Sequence, residues 1–394
     1  MSYKAMSYKQ HFARFLTHRP QRLHVAAHSH HPWPDVTFEA QQRAWLDAAA
    51  RHDDKWDLLF GEVMPEAAGH VAGRLGLPDS STVAFAPSTH ELVLRLLSCL
   101  PVPVRILTTT SEFHSFTRQV RRLEEAGLAV VERVAAEPFA TFAERLCHAA
   151  ARGGHDLVFV SQVHFDSGFV VTDLPAVAAA VPADETFVVI DGYHGFMAVP
   201  TDLAPIADRA FYLAGGYKYA MAGEGACFLH CPPGYGERPV NTGWFAGLAE
   251  LADPSRHDQV RYPSDAARFL GATFDATGLY RFNAAQRLLG ELGLSVPAIH
   301  THVRRLQALF LDRLATLEVP GLSAAALVPP AEIAERGNFL TFHHPDAEAV
   351  DARLRAHEVI IDHRGDRLRI GFGIYHDEGD VDTLCHRLRA ALSV

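Results

Sequence analysis

The stretch Phe187-Val188-Val189-Ile190-Asp191-Gly192-Tyr193-His194 decides how the chain is read, together with Leu213-Ala214-Gly215-Gly216-Tyr217-Lys218-Tyr219, whose lysine follows Asp191 by 27 residues. In the first, a short unbroken apolar run ends on a carboxylate. A run of that length and character reads as a strand covered on both faces. Desolvating a carboxylate is costly unless it is paired, so Asp191 either caps the following turn or has a cationic partner. In the second, the apolar run Arg209-Ala210-Phe211-Tyr212-Leu213 leads through a double glycine to a lysine flanked by tyrosines. Taken alone, such a lysine reads as a surface charge.

Outward from these two runs the same order repeats. Strands are expected at 83–86, 104–108, 129–134, 157–160 and 226–230, with helices over 89–100, 115–126, 138–152 and 174–181 between them. Apolar strands alternating with helices require a mainly parallel sheet covered on both faces. In such sheets ligands bind beyond the carboxyl ends of the strands, where Asp191 and Lys218 stand. Upstream, amphipathic helices are expected over 35–52 and 64–76. From about 263 the pattern changes to a long helical stretch over 281–317, strands at 338–342, 359–362 and 367–371, and a last helix over 378–392. The expected organisation is a segment 1–55 joining a small domain, a large domain 56–262 and a small α+β domain 263–394. The start repeats itself (Met1-Ser2-Tyr3-Lys4, then Met6-Ser7-Tyr8-Lys9) and reads as a loose end.

Composition narrows the class. The formal net charge is −10 with no long basic run, which argues against a nucleic-acid or anionic-membrane surface. No apolar stretch is long enough to span a membrane, and no apolar signal core opens the chain. The five cysteines form no CxxC pair, so reduced thiols and a cytoplasmic location are expected. Histidine is frequent, at 24 residues, which raises a metal reading centred on His28, His30 and His31. No acidic partner accompanies that cluster, and no metal is expected.

Asp191 and Lys218 together change the reading of each. Pyridoxal phosphate (PLP) chemistry needs an amine that holds the cofactor aldehyde as a Schiff base and an acid that keeps the pyridine nitrogen protonated. Two strand ends of one sheet supply both groups. A lysine kept among aromatic rings and away from water also has its amine pKa lowered.

At this point the chain resembles a known family, the class V PLP-dependent enzymes of aspartate-aminotransferase fold, and kynureninase most closely. The matching blocks are Ser161-Gln162-Val163-His164-Phe165-Asp166-Ser167-Gly168, Asp191-Gly192-Tyr193-His194, Tyr217-Lys218-Tyr219 with Ala222-Gly223, Thr242-Gly243-Trp244-Phe245, and Leu368-Arg369-Ile370 with Tyr375. The resemblance implies an α/β fold type I architecture, with a seven-stranded-type sheet and a smaller α+β domain. It implies Lys218 as the Schiff-base lysine and proton shuttle, Asp191 as partner of the pyridinium nitrogen, and His194 beside it. Ser88 and Thr89 are implied phosphate ligands at a helix start, Phe113 the ring-stacking residue, and Ser161 a further cofactor contact. Tyr217 and Trp244 are expected to reach the phosphate, and Thr273 to approach from the second subunit of a homodimer with shared sites. Arg369 is expected to hold the substrate α-carboxylate, and His52 to touch its acyl or aromatic end. The implied reaction is hydrolytic Cβ–Cγ cleavage of an L-kynurenine-type amino acid to alanine and an aryl acid, a step of tryptophan catabolism.

The chain also departs from the family. His28-Ser29-His30-His31 stands where an Asn-Ser-containing block is expected, Phe116 replaces an aspartate after the stacking residue, and Gly371-Phe372-Gly373-Ile374 replaces a proline-rich stretch. The departures fall on sites that would hold the substrate's far end or orient the cofactor, so the resemblance implies the class of chemistry more firmly than the substrate. Transamination and C–S lysis are the alternatives within PLP chemistry. Desulfuration needs a cysteine on a mobile loop, and no cysteine is expected in one.

Overall fold

The computed structural model describes residues 7–182, 184–251, 258–317, 319 and 321–392. The first six residues of the duplicated start lie outside the described residues. The central sheet has seven strands: β1 (Val83–Ala86), β2 (Val104–Thr109), β3 (Ala129–Val134), β4 (Leu157–Ser161), β5 (Phe187–Asp191), β6 (Ala210–Gly215) and β7 (Cys227–His230). Their order is β1-β7-β6-β5-β4-β2-β3, and β7 alone runs against its neighbours. β1, β4 and β6 are buried along their whole length, and β5 along all but its terminal aspartate, which is why they read as unbroken apolar runs. Edge strand β3 is buried only at its two ends, with Val130 and Arg133 exposed and the middle pair half-buried.

Register fixes what stands beside what. Ser161 pairs with Asp191, and Asp191 with Leu213, so the ends of β4, β5 and β6 form one rim. Gly192 and Gly215 are required there. A Cβ on Gly192 would fall 1.9 Å from the Tyr212 ring, and one on Gly215 would fall 2.3 Å from the Tyr193 hydroxyl oxygen.

The smaller unit is a four-stranded antiparallel sheet of β8 (Leu327–Val328), β9 (Phe339–His343), β10 (Asp362–Arg364) and β11 (Arg367–Gly371), in the order β10-β11-β9-β8. A helix over Glu378–Leu392 packs its Leu384 and Leu388 into that core beside Leu340, Phe342 and Ile370. The N-terminal segment joins it through Leu23–His24, which pairs in parallel with Val359–Ile360.

Two expectations are corrected. The stretch 281–317 is two helices, Thr277–Glu291 and Val296–Leu317, separated at Gly293, whose φ of +64° ends the first. The boundary at 263 also moves. Leu279, Phe282 and Leu289 belong to the large core, and the second helix passes from that core at Ile299 into the small one at Val303. Residues 1–55 likewise divide, with Phe12 and Ala27 in the large core and Leu23 and Val25 in the small one.

Candidate active site

The rim formed by β4, β5 and β6 borders a cavity of about 240 Å³. Asp191, Lys218, His194, Ser88, Thr89, Phe113, Ser161 and Tyr217 all line it. Strand geometry delivers Asp191 and Ser161; the tight turn after Gly215-Gly216 delivers Lys218. Ser88 caps the helix Thr89–Leu97 by accepting from the Glu91 N–H at 3.3 Å, so the start of that helix borders the cavity. Unpaired N–H groups of a first helical turn favour an anion.

Lys218 is buried and its amine donates to His194 Nε2 at 2.6 Å. The rings of Tyr193, Phe113 and Tyr217 lie 5.2, 5.5 and 5.7 Å from its Nζ. Burial, and then the nearby Arg369 charge, lower the Lys218 amine to about 7, against the pull of Asp191. Burial and the charges of Lys218 and Arg369 hold His194 well below its ordinary value, so its imidazole is neutral and accepts from Lys218. Asp191 accepts the Tyr193 N–H at 2.8 Å; burial pushes its carboxyl up to about 6, while that bond and Lys218 hold it down. The set is an amine that loses its proton near neutrality, a carboxylate on the neighbouring strand end, a helix start for an anion and an aromatic wall. These residues fit pyridoxal phosphate.

Arg369 lies on β11, directly across from Asp362 on β10. Its guanidinium donates to the Asp362 carboxylate and to the Phe165 carbonyl, while its buried Nε has no partner. It does not line the 240 Å³ cavity; its contact with the site runs through Phe165 and through its effect on Lys218.

Three sequence assignments fall elsewhere. Trp244 does not reach this cavity within one chain, because its indole N–H donates to Thr273 Oγ1 at 2.9 Å on an outer patch with Trp56 and Phe60. Thr273 shares that patch. His52, exposed at the end of the helix Val36–Arg51 with φ +52°, does not line the cavity either. The histidine cluster diverges: His28 stacks on Phe339 at 4.5 Å, His31 donates to the Pro32 carbonyl, and His30 lies 6.0 Å from Tyr217. Among the described residues no group of three or more His, Cys, Asp or Glu could hold a metal.

Sequence reasoning missed several lining residues, among them Tyr193, Glu224 and Cys227. It also missed Asp362, the partner of Arg369. Cys227 opens β7, and because β7 is antiparallel its start returns to the same rim. Burial pushes the Cys227 thiol up to about 11, so it stays protonated.

The architecture is that of the fold type I PLP-dependent enzymes. It is similar over 96% of both chains to a cysteine desulfurase from Thermococcus onnurineus NA1, with a TM-score of 0.77 and 17% identity. It is also similar to a C-DES variant with glycine covalently linked to its PLP cofactor, with a TM-score of 0.79 and 15% identity over 98% of this chain and 99% of that one. In sequence the resemblance is to kynureninase. Residues 299–388 match the family described as kynureninase C-terminal domain. The kynureninase of Deinococcus radiodurans is 30% identical over 60% of this chain and 57% of its own length, and that of Pseudomonas fluorescens 27% identical over 55% and 51%. The matches thus span only about half the length of these curated relatives. No described helix is long and apolar enough to cross a membrane.

Proposed function

We propose that the chain is a PLP-dependent hydrolase of kynureninase type, cleaving the Cβ–Cγ bond of an L-kynurenine-type amino acid to give alanine and an aryl acid. The observation that carries the reading is the buried Lys218 amine, lowered to about 7 and bonded to neutral His194, on the rim that also presents Asp191. Bound there, pyridoxal phosphate supplies an electron sink for charge developing at the substrate α-carbon. Lys218 carries the cofactor and moves the α-proton, and His194 orients its amine. Asp191 keeps the proton on the ring nitrogen, and the first turn of Thr89–Leu97 takes the phosphate. Phe113 covers the ring, and Arg369 holds the α-carboxylate with its planar fork. Trp244 and Thr273 of one protomer complete the site of the other in a homodimer, which explains why their own chain leaves them outside its cavity. Five free thiols suit a cytoplasmic setting.

The likeness to desulfurases in fold favours no thiol chemistry here. Burial raises all five cysteines, Cys385 to about 11 within the last helix, so none supplies a thiolate. The deciding assay incubates PLP-loaded protein with L-kynurenine and with 3-hydroxykynurenine and quantifies alanine and the anthranilate products. Alanine and aryl acid in equal amounts are expected. If neither substrate reacts while an amino-group acceptor is consumed, the chain is an aminotransferase instead.

Cofactor uptake tests the site independently of the substrate. Attachment needs Lys218 without its proton, a state gained above about 7, and Asp191 ionised, a state gained above about 6. The rate of PLP uptake is therefore expected to be highest above pH 8. It should fall about tenfold per unit once pH drops below the lysine value, and more steeply below 6. A rate that stays flat between pH 5 and 8 contradicts the assignment of both groups.

A further inference from the structure

A second carboxyl group stands behind the cavity wall. Glu112 is 3% exposed and precedes Phe113 at the start of the helix His114–Glu125. Three donors converge on it: Thr109 Oγ1 at 2.7 Å and the Ser161 N–H at 3.1 Å on Oε1, and the Ser161 hydroxyl at 2.6 Å on Oε2. These bonds compensate a carboxylate for leaving water. They also tie the end of β4, in register with Asp191, to the loop that carries Phe113. One side chain thereby clamps two walls of the cavity.

A serine hydroxyl has a single proton. While Glu112 accepts it, Ser161 can offer the cavity only lone pairs. If Glu112 is protonated, its own proton must be donated to a neighbouring oxygen, and Ser161 becomes free to donate into the cavity. We propose that Glu112 is a positioning residue that sets whether Ser161 accepts from or donates to the bound cofactor.

This rests on the PLP reading of the cavity. Of the charged groups around Glu112, Asp191 on the neighbouring strand acts on it directly, and Asp166 lies beyond Ser111, bonded to that hydroxyl at 3.1 Å. Burial pushes Glu112 up to about 7, the bonds from Ser161 and Thr109 hold it down, and Asp191 pushes it further up. The sense of Ser161 therefore changes within the neutral range.

The test uses the full-length holoenzyme in four forms: unchanged, Glu112→Gln, Ser161→Ala, and both together. In Glu112→Gln the new side chain keeps an acceptor for Thr109 but presents an amide N–H to the Ser161 hydroxyl, fixing one sense at every pH. Two quantities are read: the PLP dissociation constant, and the midpoint of the pH-dependent change in the bound cofactor's visible absorbance. Glu112→Gln is expected to move that midpoint by about half a pH unit or more and to weaken PLP binding about threefold or more. In the Ser161→Ala background the same substitution is expected to change neither. A shift of equal size in both backgrounds overturns the proposal, since Glu112 would then act by its charge alone. No shift in either overturns it as well. Should Glu112→Gln fail to fold, Ser161→Ala alone decides: it is expected to move that midpoint, and an unmoved midpoint overturns the proposal. Failure of the unchanged protein to take up PLP at all is a different outcome: it removes the cofactor reading, and this proposal with it.

Discussion

Replacement of Lys218 by alanine is expected to leave a folded protein with no covalently attached PLP and turnover reduced at least about a thousandfold. The side chain is 4% exposed, surrounded by three aromatic rings, and bonded to a neutral imidazole. An ammonium in that setting is unfavourable, and the Arg369 charge makes it more so. Removing it relieves desolvation and repulsion while leaving a small void, two effects of opposite sign on stability. The melting temperature is therefore expected to stay within a few degrees of the unchanged protein. Borohydride reduction followed by peptide mass analysis gives the covalent readout. A PLP increment fixed to the Lys218 peptide in the unchanged protein, and absent everywhere in Lys218→Ala, is the expected pattern. An increment persisting in the variant would place the attachment on another lysine and dismantle the site as described.

How far the sequence shows these features depends on whether they are local. The seven strands are legible because buried strands must be unbroken apolar runs, and those runs are short and bounded by helices. Asp191 and Lys218 are legible because each stands just past such a run, and the parallel order sends both to one rim. Arg369 stands out by type and by the block around it, but its partner Asp362 does not. That pair exists only through the register between β10 and β11, and two residues seven apart in a hairpin face each other only if the turn places them so. Cys227 was hidden for a similar reason, since only the reversed direction of β7 returns its first residue to the site. Glu112 was adjacent to a residue already singled out, yet a glutamate before a helix reads as a helix-start charge until its three donors are seen. Trp244, Thr273 and His52 show the opposite case. Their assignments came from family resemblance, and a single chain leaves them on the outside. The break at Gly293 is legible locally, because a glycine inside a long periodic stretch weakens a continuous helix and can serve as its C-terminal cap.

Replacement of Arg369 is expected to separate substrate recognition from cofactor binding. Its side chain is 3% exposed, and the guanidinium is divided between the Asp362 carboxylate and the Phe165 carbonyl, with Nε left over. Substituting alanine removes the planar fork that the proposed function assigns to the α-carboxylate, and kcat/KM for L-kynurenine is expected to fall about a thousandfold, mostly through KM. Orphaning a buried charge commonly costs about 3–5 kcal/mol. Here the loss should be smaller, because Arg364 Nη1 still donates to Asp362 Oδ1 at 2.6 Å. The Lys218 amine should rise, since Arg369 lowers it, and PLP uptake should accordingly need a higher pH. Arg369→Lys is the more telling variant. It keeps the positive charge, and with it the Asp362 pairing and the repulsion on Lys218, but a single ammonium cannot hold Asp362, the Phe165 carbonyl and a carboxylate in one plane. PLP binding and its pH dependence are expected to stay close to those of the unchanged protein, while kcat/KM falls about a hundredfold. A lysine variant with undiminished kcat/KM would mean that charge alone suffices, and the α-carboxylate would have to be held by another group. If instead both variants lose PLP, Arg369 serves the cofactor's half of the site, and its role is to lower Lys218 rather than to grip the substrate.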